Sequence, residues 1–325
     1  MESLSTQDRG LFVDLVRAQV SGSPDEVRQA VLRAARAWRE EGDRANAEEV
    51  EGLVETKAGS ERPIGLYPLK PKKTLRELNL NSDVWASVQD FLTEQRNVEV
   101  LARHKLDPRH KALFIGPPGN GKTVLAGAIA IELGIRSFMV RYDDLISNKP
   151  GETSRNLLSI FSYARQEPTL LFFDEFDALG RERDDAQETG EMKRVTSTLL
   201  VQIDDLPSQV VAIAATNHGQ MLDAAIWRRF NIRLELPKPG LDLFAPFMRD
   251  MFAVYGHAPG EINGIDLDTV ALRMVPENFS DAELYVRNCV RSYVINNNEG
   301  RTTTIEQAML GELNKWTSGQ KKVIA

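Results

Sequence analysis

Only one cysteine, Cys289, occurs in this 325-residue chain. No intrachain disulfide can therefore form, and the fold must hold by burial and hydrogen bonding, as suits a reducing compartment. The four histidines (His104, His110, His218, His257) are scattered and share no metal-ligand spacing, which sets aside an imidazole-built zinc centre. No apolar run approaches a bilayer span, and "MESLSTQDRG" lacks the charged-then-apolar order of a secretory signal. The expectation is a cytoplasmic protein with no membrane partner. Positive charge is not in excess either: 40 Lys+Arg stand against 47 Asp+Glu, a formal net charge of −7. With a pI near 5.4 and no basic stripe interleaved with aromatics, the chain is a poor match for a polyanion, so nucleic acid is not the expected partner.

The composition is otherwise that of a globular protein, 42% hydrophobic and 27% charged, enough apolar material for a sizeable core in about two or three domains. Residues 1–58 read as a small helical bundle. Ser23-Pro24-Asp25-Glu26 is a helix start, with a Ser cap, Pro at the first helical position and Glu at the third. The helix that follows puts Val27, Ala30, Val31, Ala34 and Trp38 on one face, and the flanking segments 11–16 and 47–54 offer further apolar faces. Such an appended bundle reads as a docking module for a partner. Residues 59–74, with three prolines, read as a linker, and a long helix is expected over about 82–104. Cys289 falls in an apolar helical pattern with Leu284, Val286, Val290 and Val294, the setting of a buried structural thiol.

From residue 111 short apolar strands alternate with helices: "KALFIG", "SFMVR", "TLLFFDE", "QVVAIAATN" and "NIRLELP" as strands, with helices after the first three. Continuously apolar strands joined by helices predict an α/β fold, a parallel sheet covered on both faces. Beyond Pro239 the pattern is helical to the end, so 75–238 is read as the α/β core and 239–325 as a helical lid.

Four elements carry chemistry. "GPPGNGKT" (Gly116, Pro117, Pro118, Gly119, Asn120, Gly121, Lys122, Thr123) fits the G-x-x-x-x-G-K-[ST] phosphate loop and lies between a predicted strand and a predicted helix. There the glycines let backbone N–H groups wrap phosphates, Lys122 reaches the β- and γ-phosphates, and Thr123 holds Mg²⁺. "LLFFDEFD" delivers Asp174, suited to Mg²⁺ directly or through water, and Glu175, placed to act as general base, to the end of a buried strand. "AIAATN" brings Asn217 to another strand end, where an amide orients the attacking water or senses the γ-phosphate. "LDAAIWRRF" supplies Arg228 and Arg229, either a salt-bridged surface or an arginine finger.

In this order and spacing the four elements resemble the AAA family of P-loop ATPases, over roughly residues 75–315; "LPKP" after the last strand and "FSDAEL" (Phe279–Leu284) add to the match, with Asp281 where the family usually has Gly. The resemblance implies ATP and Mg²⁺ as ligands, Asn217 as γ-phosphate sensor, and Arg228 and Arg229 as fingers acting on ATP in a neighbouring subunit. It follows that the active site is completed only in a homo-oligomer, and hexameric rings are usual in the family. More narrowly, the short N-terminal unit with "GETSRNL", "FDEFDAL", "GEMKRV" and "RRF" is similar to stand-alone bacterial AAA ATPases encoded beside a subtilisin-like serine protease in toxin–antitoxin and anti-phage defence modules. That implies a protease partner, since no Ser-His-Asp constellation is identifiable in this chain. An assembly switch that activates a partner without threading substrate, and a DNA-associated ATPase, are the alternatives.

"SNKPGE" (147–152) lies where the resemblance places a pore-facing loop. The aromatic-aliphatic pair expected before the Gly is replaced by Lys149 and Pro150. Either this is a solvated turn, or Lys149 makes an electrostatic substrate contact in a chain that is a poor general unfoldase.

Overall fold

The computed structural model describes residues 24–40, 47, 62–145, 151–177, 189–257, 262, 264–274 and 278–323. They fall into two compact units. The first comprises the described residues up to Leu78 with Ala86–Ile115 and Thr123–Leu234; the second comprises Asn79–Trp85, Gly116–Lys122 and the described residues from Glu235 onward.

The first unit is built on a six-stranded sheet: β1 (Leu66–Pro68), β2 (Lys111–Ile115), β3 (Arg136–Val140), β4 (Thr169–Phe173), β5 (Val210–Thr216) and β6 (Ile232–Glu235). The spatial order is β1-β3-β4-β5-β2-β6. The pairs β3–β4, β4–β5 and β5–β2 are parallel, and β1 adds to the β3 edge antiparallel. All five residues of β4 and all seven of β5 are buried, as central parallel strands covered on both faces require. The apolar runs that predict these strands are thus the residues that pack. The aromatic chain Phe161–Phe173–Phe176–Phe230 threads this core, with ring centroids 5.6–6.2 Å apart. β1 lies within the proline-rich segment read as a linker; three residues with a terminal proline suit a short edge strand.

Around the sheet the helices are α1 (Pro24–Glu40), α2 (Ser82–Arg96), α3 (Val98–Arg103), α4 (Lys122–Leu133), α5 (Glu152–Ala164), α6 (Thr189–Asp204) and α7 (Ala224–Arg229). α1 starts at Pro24, as its Ser-Pro-Asp-Glu start predicts, and buries Ala30, Ala34 and Ala35. Its Arg36 ion-pairs with Glu132 at 2.8 Å, and Arg96 meets the same carboxylate at 2.9 Å. One half-buried carboxylate thereby gathers α1, α2 and the end of α4. Of the three-helix unit expected over residues 1–58, segments 11–16 and 47–54 lie outside the described residues, save the buried Ala47. The single helix expected over 82–104 is instead two: Asn97, at φ −112° and ψ 29°, leaves helical geometry, and its side-chain amide donates to the Thr93 carbonyl. Asn competes for backbone in this way more readily than apolar residues do.

The second unit is helical after Pro239, as the pattern predicts: α8 (Leu241–Val254), α9 (Leu267–Met274), α10 (Phe279–Asn298) and α11 (Ile305–Val323). Phe244, Met248, Phe252, Val270, Met274, Tyr285, Val286 and Met309 form its core. Cys289 is fully buried there, and burial lifts its thiol to about 12. The Tyr285 hydroxyl donates to the Met309 carbonyl at 2.8 Å, tying α10 to α11.

Candidate nucleotide site

The phosphate-loop candidates are part of the second unit, except Thr123, which the contacts assign to the first. Gly116 passes the chain so close to Leu236 that a Cβ there would stand 2.1 Å from the Leu236 carbonyl oxygen. Gly119 has φ +79°, and its Cβ would meet the Asn278 side chain at 2.7 Å and Ser280 Oγ at 3.0 Å. At both positions glycine is required, by close approach at the first and by left-handed backbone at the second. Asn120 is buried and its amide donates to the carbonyls of Leu236 (3.2 Å) and Pro237 (2.9 Å), while its Oδ1 has no partner among the described residues. These contacts hold the loop against the segment after β6 and against the start of α10. Asn278 also caps α10, accepting from the Asp281 amide at 2.9 Å. Asp281, where the AAA resemblance expects Gly, thus sits in the first turn, where a carboxylate favours the helix dipole.

Lys122 opens α4 and is 7% exposed; its ammonium donates to the carbonyls of Gly116 (2.6 Å) and Pro117 (2.9 Å) of its own loop. Pro117 and Pro118 are exposed, Gly121 (φ +83°) and Thr123 half-buried.

The remaining candidates belong to the first unit. Asp174 and Glu175 directly follow β4. Asp174 is half-buried, and its Oδ1 accepts from the Glu175 amide at 2.9 Å. Glu175 is exposed and has φ +48°, the left-handed region a non-glycine residue enters at a cost of about 1–3 kcal/mol. The strain is held in place by its neighbour: Phe176 is fully buried, stands edge-on to Phe173 and Phe230, and donates its amide to Ala215 of β5 at 2.8 Å. A backbone outlier kept at an exposed carboxylate points to a position selected for where the carboxylate goes rather than for stability.

Asn217 follows β5 and is half-buried. Its neighbour Thr216 is held by Asp177, a residue that sequence reasoning left without a role, and its neighbour His218 is held by Thr216. The Thr216 hydroxyl donates to Asp177 Oδ1 at 3.0 Å and accepts from the His218 amide at 3.0 Å. This chain of bonds brackets Asn217 and locks the β5 exit to the β4 exit. Its sequence signal is only the third acid of "DEFD"; the Thr216 partner lies 39 positions away.

Arg228 and Arg229 close α7, yet the structure separates them. Arg229 ion-pairs with Asp204 at 2.9 Å and donates to the Ala225 carbonyl at 2.7 Å. Arg228 is exposed and makes no ion pair or hydrogen bond among the described residues. Lys149 and Pro150 lie outside the described residues; Gly151, the N-cap of α5, has φ +75°.

Three neighbouring parallel strands thus run into the candidate residues: β2 into the phosphate loop, β4 into Asp174–Glu175, β5 into Asn217. A parallel sheet with a glycine-rich phosphate loop after one strand and an acid pair after another is the arrangement typical of P-loop nucleotide-binding domains. Comparison with known proteins narrows this class. Residues 112–238 match the family described as "ATPase family associated with various cellular activities (AAA)". It is 41% identical over 184 residues to the "Uncharacterized AAA family ATPase y4kL" of Sinorhizobium fredii, covering 57% of this chain and 56% of the relative. It is 32% identical over 219 residues to "ATP-dependent zinc metalloprotease FtsH 3" of Sphaerobacter thermophilus (66% and 44%). With "Proteasome-activating nucleotidase 2" of Haloferax volcanii it shares 33% over 195 residues (58% and 46%). The chain spans about half the length of these curated relatives.

Proposed function

We propose that the protein binds ATP with Mg²⁺, hydrolyses it to ADP and phosphate within a ring-shaped homo-oligomer, hexameric as in the family it resembles, and uses the cycle to remodel or regulate a protein partner. In this reading residues 1–58 dock the partner, 59–74 form the linker, 75–238 the ATPase core and 239–325 the lid. The observation that carries the reading is the set of neighbouring parallel strands leading into the loop, the acid pair and Asn217.

The residues fit the nucleotide. Gly121, at φ +83° with nothing within 4 Å of where its Cβ would stand, leaves the loop backbone room for a ligand to approach closely. Among the described residues no three His, Cys, Asp or Glu side chains converge on a metal. Mg²⁺ takes one or two protein oxygens, here Asp174 and Thr123, and completes its shell with water and phosphate. The ion neutralises charge developing on the phosphates when bound. Lys122 places its ammonium at the β- and γ-phosphates, exchanging its carbonyl contacts for phosphate oxygens. Glu175 takes the proton of the attacking water as the water oxygen bonds to γ-phosphorus, and Asn217 orients that water or reads the γ-phosphate. Arg228, with Arg229 beside it, stabilises the transition-state charge on ATP of the adjacent subunit.

The partner is a protein. Relatives carry names that join ATP to a metalloprotease and a nucleotidase to proteasome activation. The finer reading is a subtilisin-like serine protease in a bacterial anti-phage defence module, in the cytoplasm; it rests on the motif resemblance. No helix among the described residues is long and apolar enough to cross a membrane. The test uses Glu175→Gln protein as bait in the native host, because that variant retains ATP and slows its turnover. Recovery of one protease with ATP but not with ADP supports the reading. Full activation of that protease by a non-hydrolysable analogue would replace remodelling with an assembly switch. For the shared site, Arg228→Ala and Glu175→Gln proteins, each inactive alone, are mixed: recovered turnover supports it, and none at any ratio contradicts it.

A further inference from the structure

The chain leaving β4 and the end of β5 stay joined after β4 has ended. Phe173 of β4 is in register with Ala214 of β5. A further main-chain bond runs from the Phe176 amide to the Ala215 carbonyl at 2.8 Å. Asp174 and Glu175 are thereby looped out of the ladder, as a bulge re-aims side chains beside a site. One position further on, side chains take over. The buried Thr216 hydroxyl donates to Oδ1 of the buried Asp177 at 3.0 Å and accepts from the His218 amide at 3.0 Å. A hydroxyl has one hydrogen to give, and here the carboxylate on one side and the amide on the other set its direction. The main chain through Asn217 is closed from Thr216 to His218, and Asp177 is the point that fastens it. An apolar residue would fill this interior place without the desolvation cost of a carboxylate, so the acid is kept for what it holds.

We propose that Asp177 and Thr216 are positioning residues for ATP turnover: their bond fixes Asn217 relative to Glu175, so that the amide that orients the attacking water is held in register with the carboxylate that takes its proton. The inference rests on the reading of Asn217 as the residue that orients the water or reads the γ-phosphate. The measurement is phosphate release from Mg²⁺-ATP by the full chain, with kcat and KM separated, beside binding of a fluorescent ATP analogue. Thr216→Val keeps the shape and removes the hydroxyl; it is expected to lower kcat about ten- to hundredfold, the effect of a small misplacement, with KM and analogue affinity unchanged. Thr216→Ser restores the hydroxyl and is expected to restore kcat. Where Thr216→Val fails to fold, the double variant Asp177→Leu with Thr216→Val, which removes acceptor and donor together, carries the test and is expected to bind the analogue and turn over as slowly. In an Asn217→Ala background Thr216→Val is expected to change nothing further. A wild-type kcat in Thr216→Val or in the double variant overturns the inference. So does a Thr216→Ser protein as slow as Thr216→Val, or a loss of analogue affinity that matches the loss of kcat, which marks a packing role. If Asn217→Ala itself turns over ATP at the wild-type rate, it is the assignment of Asn217 that fails, and the inference fails with it.

Discussion

The two arginines at the end of α7 should separate when each is removed. Arg229 is 25% exposed and its partner Asp204 45% exposed, so their ion pair is screened and contributes at most about 1 kcal/mol. The hydrogen bond from Arg229 to the Ala225 carbonyl adds an amount of the same order, again reduced by exposure. Arg229→Ala is therefore expected to cost about 1–1.5 kcal/mol of stability. Asp204→Ala, which breaks the ion pair while keeping the guanidinium, should reproduce about half of that. Arg228 has no partner to lose among the described residues, so Arg228→Ala should stay within about 0.5 kcal/mol of wild type. Its loss as a finger should nonetheless lower ATP turnover about a thousandfold or more. Urea titration followed by tryptophan fluorescence reports this region well, because Trp227 is adjacent and its indole donates to the Leu222 carbonyl at 3.1 Å. Phosphate release measured on the same preparations supplies the second axis. An Arg228→Ala protein destabilised as much as Arg229→Ala, or one turning over ATP at the wild-type rate, would refute the reasoning.

Other substitutions probe the framework. Phe230→Ala removes a fully buried ring that stands edge-on to Phe176 at 5.6 Å; it should cost about 3–5 kcal/mol in urea unfolding, and Phe230→Leu clearly less. Gly116→Ala drives a methyl into the Leu236 carbonyl, a backbone atom that cannot swing aside; at least about 2 kcal/mol of destabilisation and loss of nucleotide binding are expected, read by unfolding and by titration with a fluorescent ATP analogue. Cys289, held as a neutral thiol by burial, should resist an aromatic disulfide reagent near pH 8 in the folded protein and react fully in denaturant; stoichiometric reaction of the native chain would contradict its place in the α10–α11 core.

Much of the sheet was legible because β4 and β5 are buried on both faces, so solvent imposes no alternation and the sequence runs unbroken through Leu170–Phe173 and Val210–Ala215. The phosphate loop was legible because its motif has fixed spacing and part of its demands are local: Gly119 has left-handed backbone and Lys122 bonds the carbonyls of its own loop. What escaped depends on partners distant in sequence. β1 exists only because the β3 edge accepts it. The role of Asp177 needs Thr216, and the difference between Arg228 and Arg229 needs Asp204. None of these pairings leaves a periodic trace. The break at Asn97 was missed because helical spacing continues across it, while the decision is made by one side-chain amide.

The central claim is hydrolysis of ATP at this site. Its most direct measurement is phosphate release from Mg²⁺-ATP by the purified chain at concentrations that permit assembly, beside Lys122→Ala and Glu175→Gln. The account predicts turnover that rises more steeply than protein concentration, retained ATP binding without turnover in Glu175→Gln, and loss of both in Lys122→Ala. Turnover by wild type that survives unchanged in Glu175→Gln, or tight ATP binding that survives Lys122→Ala, would contradict it.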